Sequence, residues 1–190
     1  MSLVWIDPPE NAVGWWGDFN DKVSGYENVE LLDPIEPVSG VAAVDIPGAS
    51  AEVVGKWDIV RNVAGSRLIS ARLRIHLTRL VGDQMLMLPV VCRCRDGDVA
   101  GYHFVVPRRK VVCTDLNQTE VSSWVIPDKA IHRYRTIRFK KNCIVPTEIV
   151  RDALVSKFTV VGDDLANELR QGGYRGLNIV KPEDAPNPYP

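Results

Sequence analysis

The stretch that decides the fold is residues 85–106, MLMLPVVCRCRDGDVAGYHFVV. Its first ten residues are largely apolar, which is typical of a strand buried on both faces. Asp96, Gly97 and Asp98 then supply a tight reversal, and residues 102–106 return as the antiparallel partner. The stretch therefore predicts a β-hairpin with a buried first strand.

Upstream of the hairpin, the sequence predicts a helix that begins after Ser70. The Ser70 hydroxyl can accept a hydrogen bond from the first turn. Leu73, Leu77 and Leu80 recur at helical spacing, and Gly82 is suited to end the helix.

Downstream of the hairpin, short elements alternate. Strands are predicted at residues 110–113, 121–126, 134–139, 143–145, 158–161 and 177–180. Two helices follow their strands in a repeated manner, the first at residues 149–154 and the second at residues 165–170. Pro146 or Thr147 would open the first helix, and Asp163 would cap the second. Residues 181–190 contain four prolines and should be extended or mobile.

The first 58 residues are rich in glycine and proline, which break every element before it becomes a long helix. Short extended pieces are predicted at residues 3–6, 29–32 and 41–46. Because this region also contains aromatic residues, it differs from a disordered acidic tail. We therefore expect an acidic, turn-rich N-terminal arm at residues 1–58 packed on a core domain at residues 59–180, followed by the proline-rich tail. The fold class predicted is α+β, with a mainly antiparallel sheet, a few short helices and the irregular arm.

Charge is divided unevenly along the chain, whose formal net charge is −1. Residues 1–58 hold 11 Asp or Glu and 2 Lys or Arg, whereas residues 59–190 hold 13 and 21. Such a polarity concerns association with other molecules more than it concerns the fold. The sequence has neither a signal-peptide pattern nor an apolar run of about 18 residues. We therefore expect a cytoplasmic protein that does not enter a membrane.

Several segments carry a recognisable pattern. Trp57-Asp58-Ile59 and Leu68-Ile69-Ser70-Ala71-Arg72-Leu73 resemble the "D-I … L-I-S-E-R-L" opening of the Imm-eleven type of bacterial immunity proteins, which belong to polymorphic-toxin systems. Residues 113–120, CTDLNQTE, are similar to the central "D-L-x-x-S-x" stretch of that family. Residues 158–166, FTVVGDDLA, and residues 172–177, GGYRGL, are similar to its closing "strand, helix, G-x-x-G-L" unit.

The resemblance extends over about residues 56–180. Ala71 stands where the family pattern has an acidic residue, and the helix predicted at residues 149–154 would be an additional element. The resemblance implies a protein that neutralises a cognate toxin by binding it, and it implies no catalytic residues.

Residues 14–21, GWWGDFND, combine aromatic and acidic side chains. Aromatic anchors supply desolvated contact area, and acidic charges accelerate encounter with a basic partner such as a nuclease toxin. Alternatively, the two tryptophans only hold the arm against the core. The candidate residues for contact with a partner are Trp15, Trp16, Asp18, Phe19, Asp21, Tyr26, Glu27 and Glu30.

A basic cluster permits a second interpretation, namely a nucleic-acid-binding module, because several cations on one face can bind phosphates. Two further explanations stay open: a solvated strand edge, or pairing with the acidic arm of the same molecule. The cluster consists of Arg108, Arg109, Lys110, Arg133, Arg135, Arg138, Lys140 and Lys141.

The Cys92-x-Cys94 pair has the residue types of a metal site, with Cys113, Cys143 and His103 as possible further ligands. Structural zinc sites, however, use wider spacing within each pair and a second pair. Small, buried, reduced cysteines are the simpler interpretation. We therefore expect a binding protein with no metal and no cofactor, and an enzyme of an unrecognised type is the remaining alternative.

Overall fold

The structure, a computed structural model, describes residues 2–8, 14–25 and 40–187 of the 190-residue chain. The fold is α+β. The strands are β1 (Ser2–Ile6), β2 (Asp18–Phe19), β3 (Ala42–Ile46), β4 (Ile59–Val60), β5 (Arg67–Ile69), β6 (Met85–Cys94), β7 (Gly97–Pro107), β8 (Lys110–Val111), β9 (Glu120–Ile126), β10 (Ala130–Thr136), β11 (Ile149–Asp152), β12 (Thr159–Gly162) and β13 (Asn178–Val180). The helices are α1 (Ala51–Val54), α2 (Ala71–Val81) and α3 (Asp163–Gln171), with short 3₁₀ turns at Gly82–Gln84 and Pro182–Asp184.

The chain divides into two compact units. The sheet unit consists of Met1–Ile6, Pro107–Gly172 and Asn178–Pro190. The barrel unit consists of Asp7–Val106 and Gly173–Leu177. The division expected from the sequence, with a boundary at residue 58, does not coincide with this one, because residues 59–180 contribute to both units.

The barrel unit contains a six-stranded sheet in the order β2-β3-β6-β7-β5-β4. β6 and β7 form the predicted hairpin, and β3 pairs with β6 in parallel. Gly17, just before β2, pairs with Asn62, just after β4. This pairing joins the two outer strands and closes the described part of the sheet into a barrel. The interior is apolar and includes Val44, Ile46, Val60, Leu68, Leu88, Val90 and Phe104.

The first strand of the hairpin is buried on one face, not on both as predicted. Leu88, Val90 and Cys92 are buried, whereas Pro89 and Arg93 are exposed. This alternation has the period of two that a strand in a barrel wall requires, since only one side faces the interior.

The helix predicted after Ser70 is confirmed as α2. The Ser70 hydroxyl accepts a hydrogen bond from the Leu73 amide at 3.3 Å, and Leu73 and Leu77 are buried. Leu80 is exposed, so its predicted place on the buried face of this helix was wrong.

The sheet unit contains a five-stranded sheet in the order β13-β1-β12-β11-β8 and a separate hairpin of β9 and β10. β1 is antiparallel to both of its neighbours, whereas β8 and β11 are parallel. The helix predicted at residues 149–154 is wrong, because Ile149–Asp152 forms β11. Ile149 and Val150 are β-branched and fully buried, and both properties favour a strand.

Two further predictions in this unit are corrected. Asp163 is the first residue of α3, and the residue that caps the helix is Gly162. The tail is fixed as far as residue 187: Ala185 is buried, and the Asn187 side chain exchanges hydrogen bonds of 3.0 and 2.8 Å with the backbone of Tyr134. An amide side chain can pair with a peptide group in this way, so the tail is held despite its prolines.

Candidate protein-binding surface

The two neighbouring tryptophans of the predicted contact region lie on opposite sides of the barrel wall. The Trp15 side chain is 8% exposed and belongs to the barrel core, where its ring meets that of Trp57 edge to face at 6.2 Å. Trp16 is 48% exposed. Trp15 therefore holds the chain against the core, and Trp16 is the tryptophan that another molecule can contact.

The alternation continues along this segment. Gly17 is buried, Asp18 is exposed, and Phe19 packs against the core with its ring centre 6.0 Å from that of Phe104. Residues 15–19 therefore follow the period of two of a strand, with Trp16 and Asp18 on the outer face. That period was visible in the sequence, and it separates the residues that contact the core from those that face outward.

Gly17 allows the barrel to close at this point. Its amide donates to the Arg61 carbonyl at 2.9 Å, and the Val63 amide donates to the Gly17 carbonyl at 3.1 Å. A Cβ on Gly17 would lie 2.4 Å from Cγ1 of Val44, so a larger residue would force the interior apart. The neighbouring outer positions are consequently held on a rigid backbone.

Acidic residues adjoin Trp16 on the outer face. Asp18 lies opposite Asp45 in the pairing of β2 with β3. Asp45 accepts a hydrogen bond from the Asn20 amide group at 2.6 Å and pairs with Arg93 at 3.5 Å. Two carboxylates facing each other across a strand pair repel. Arg93 offsets part of this repulsion through its pair with Asp45, and a cationic partner would offset the rest. We define the seam surface as Trp16, Asp18, Asp45 and Val63, which is 51% exposed.

The other candidate contact residues are less informative. Asp21 is exposed in the turn that follows β2. Tyr26, Glu27 and Glu30 lie outside the described residues.

The basic cluster lies in the sheet unit, and all eight of its residues are exposed. Three of its arginines form ion pairs: Arg109 pairs with Glu148, Arg135 pairs with Glu120 at 2.8 Å, and Arg138 pairs with Glu183 at 3.4 Å. The carboxylates in these pairs come from positions beyond residue 58, not from the acidic arm. Each such pair lowers the positive potential that phosphates would experience.

The cysteines separate into two pairs. Cys92 lies in the barrel core, and the half-buried Cys94 thiol donates to the Cys92 carbonyl at 3.8 Å. In the sheet unit, Cys113 and Cys143 contact each other within a small apolar cluster. Within the described ranges, no three His, Cys, Asp or Glu side chains are grouped as they would be around a metal ion.

Segments at residues 57–59, 68–73 and 173–177 converge on Asp58 in the barrel unit. The Asp58 carboxylate accepts hydrogen bonds from the Ser70 hydroxyl at 2.7 Å, from the Arg72 guanidinium at 3.2 Å and from the Arg175 amide at 3.0 Å. Arg72 also donates to the Gly173 carbonyl at 3.1 Å. One carboxylate thus joins the opening segments of the pattern to the closing segment at residues 173–177.

Aromatic contacts reinforce this convergence. The Arg72 and Arg175 guanidinium groups lie 4.5 Å from the ring centres of Tyr174 and Trp57, respectively, where they gain from the negative face of each ring. The Tyr174 hydroxyl and Nδ1 of His76 are 2.7 Å apart, and partial burial raises the pKa of Tyr174. The hydroxyl therefore stays protonated near neutral pH and serves as a hydrogen-bonding group.

The sequence matches no protein-family model, and a search of curated proteins finds no match to it either. Among the described helices, α2 is the longest with 11 residues, and none is long and apolar enough to cross a bilayer.

Proposed function

We propose that this protein is a cytoplasmic immunity protein that binds and neutralises a cognate toxin, and that the seam surface is its contact site. The observation that carries the proposal is the exposed Trp16 beside Asp18 and Asp45 on the closed wall of a barrel. The protein acts by binding and transforms no substrate.

The chemistry of the seam surface suits a basic partner. An exposed indole releases a large apolar area from water when a partner covers it, and tryptophan is among the residues that dominate interface energies. The adjacent carboxylates attract a positively charged surface and raise its association rate. A nuclease toxin would present such a surface, because its active site must attract phosphate.

The family resemblance supports the same proposal. Its opening and closing segments meet around Asp58 within one compact unit, which agrees with their belonging to one pattern. Asp58 and Arg72 then serve to fix the fold, and the outer wall of the barrel serves to contact the toxin.

The test is a binding and protection experiment with the protein encoded immediately upstream. Trp16→Ala should weaken binding at least about tenfold. The melting temperature should stay unchanged, because the Trp16 side chain is exposed to water and not part of the core. Val53→Ala is the matched control, because Val53 is also an exposed apolar residue of the barrel unit (40% exposed) and lies outside the seam surface. Binding by Trp16→Ala at the strength of the wild type would refute the contact site.

Two further measurements separate the alternatives. Trp15→Ala should destabilise the fold by about 3 kcal/mol, because it empties a core position. Retention of the wild type on immobilised DNA, falling steeply with salt, would instead support the nucleic-acid interpretation of the basic cluster. We expect the protein to pass through such a column, since Arg109, Arg135 and Arg138 are already paired with carboxylates.

A further inference from the structure

A pair of thiols in the sheet unit is placed for chemistry that neither the fold nor toxin binding requires. Cys113 is fully buried next to Val150 and Val160, and the half-buried Cys143 packs against the same cluster. Cys143 thus packs against the cluster that contains Cys113, and the two thiols interact directly. The Cys143 sulfur also forms a hydrogen bond with the Ser2 hydroxyl, whose oxygen lies 3.3 Å away and which can donate to the thiolate. Both cysteines are reduced.

The backbone fixes this contact. The Lys140 amide donates to the Cys113 carbonyl at 2.8 Å, and Thr114 pairs with Phe139 as an isolated bridge. Asn142 then adopts a left-handed conformation with φ of 53°, which reverses the chain just before Cys143. The path of the chain therefore brings residue 143 back to the segment that holds Cys113.

The surroundings shift the pKa values of the two thiols in opposite directions. The hydrogen bond from Cys113, assisted by the Ser2 hydroxyl, lowers the pKa of Cys143 to about 7 although burial and Asp152 oppose this shift. The same hydrogen bond, together with burial, raises the pKa of Cys113, with Asp152 adding to the shift and Lys140 opposing it. At neutral pH, Cys143 supplies the thiolate and Cys113 keeps its proton.

We propose that Cys113 and Cys143 are a redox-active pair, which a hydroperoxide such as hydrogen peroxide converts into an intramolecular disulfide. The Cys143 thiolate attacks the peroxide, the O–O bond breaks, and one oxygen is transferred to sulfur while hydroxide leaves. The Cys113 sulfur, on losing its proton, then attacks the Cys143 sulfur, so that the S–S bond forms as the S–O bond breaks. The departing hydroxide takes up the proton as water. The two thiols lose two electrons, and the peroxide gains them.

Cys94 provides a matched control within the same chain. It is also half-buried, but burial, Asp96 and Asp98 raise its pKa, so it presents little thiolate at neutral pH. Iodoacetamide at pH 7 should therefore modify Cys143 at least about tenfold faster than Cys94. Equal rates at the two cysteines would overturn the proposal.

The disulfide itself is tested by peptide mass mapping after treatment with stoichiometric hydrogen peroxide. The expected product is a linked peptide pair containing Cys113 and Cys143, with the loss of two hydrogens and with Cys94 still reduced. Oxidation of Cys143 to the sulfinic acid while Cys113 stays free would refute the pair. Wild type suffices for this experiment, so it does not depend on whether a variant folds.

Two variants assign the roles. Cys113→Ser should leave Cys143 able to form the sulfenic acid, which a dimedone-type reagent would trap, but unable to form the linked product. Ser2→Ala removes a group that stabilises the thiolate, so the pH profile of Cys143 alkylation should move to higher pH while that of Cys94 stays in place. An unchanged profile for Cys143 would contradict the assigned role of Ser2, and linked product from Cys113→Ser would exclude Cys113 as the resolving thiol.

Discussion

Asp58 in the barrel unit and Asp152 in the sheet unit each join segments that are distant in sequence, but they do so with different partners. Asp58 accepts from the side chains of Ser70 and Arg72 and from one backbone amide. Asp152 accepts from four backbone amides, those of Cys113, Thr114, Leu154 and Val155, at 2.7–3.0 Å. The first carboxylate is balanced by a cation, and the second by peptide dipoles.

The surroundings decide how much each arrangement contributes. The Arg72 side chain is 58% exposed, so water and salt can replace much of what its ion pair supplies. Asp152 is fully buried, so no water replaces an acceptor that is removed there. Replacing one carboxylate oxygen should therefore lower the free energy of unfolding more at Asp152 than at Asp58.

The largest effect is expected for Asp152→Asn. The new amide group would face two of the four backbone donors and leave them without an acceptor, so the free energy of unfolding should fall by about 3 kcal/mol. Urea denaturation followed by circular dichroism measures this change. Asp128→Asn is the control: Asp128 is exposed with φ of 57°, which asparagine tolerates, and its cost should stay within about 0.5 kcal/mol. Equal losses in the free energy of unfolding at both positions would contradict the role of Asp152 as a buried acceptor of four backbone hydrogen bonds.

Gly176→Ala, in the segment that Asp58 holds, should lower the free energy of unfolding by a smaller amount, about 2 kcal/mol. Gly176 has φ of +92°, and a Cβ there would lie 2.8 Å from the Ile59 carbonyl oxygen. Both the backbone strain and this close approach penalise alanine. Gly173→Ala separates the two causes, because Gly173 has φ of +59° and open space around it, so only strain of about 1 kcal/mol applies. Thermal unfolding of both variants measures the difference. A larger loss for Gly176→Ala than for Gly173→Ala would show that close packing of the backbone, in addition to the Asp58 carboxylate, holds residues 173–177 in place.

The smallest of the three losses in the free energy of unfolding, about 1.5 kcal/mol, is expected for Asp58→Asn, because the main partner of Asp58 is the exposed Arg72. The loss should shrink at high salt, and in a double-mutant cycle with Arg72→Ala the coupling energy should be about 1 kcal/mol. A cost at Asp58 that exceeds the cost at Asp152 and is insensitive to salt would reverse the comparison.

Local signals in the sequence identified many of the elements. Ser70 begins α2 as predicted, and the reversal near Asp96 joins β6 to β7. These features depend on residues within a few positions of one another, which is why a reading of the sequence captures them. The prediction of a helix at residues 149–154 was wrong. Ile149 pairs with Val161 on β12, and pairing with another strand overrides a weak local preference for helix.

The candidate surface was predictable only in part. The composition of residues 14–21 marked the segment that contains the exposed Trp16, but the buried Trp15 and the exposed Trp16 are distinguished by an alternation that only a closed barrel makes decisive. The contact of Cys113 with Cys143 had no signature in the sequence, because the two residues are far apart along the chain and a turn at Asn142 brings them together. Cys92 and Cys94, which are close in sequence, carry the more visible pattern, although burial raises the pKa of both thiols.

The interleaving of the two units has a consequence for biosynthesis. β1 leaves the ribosome long before its neighbours β12 and β13, and the barrel unit waits for Gly173–Leu177. A nascent chain that stalls before this point lacks pieces of both units, so neither unit can fold to completion until residues 173–180 have been made. The unpaired strands of the growing polypeptide consequently depend on protection from aggregation until then.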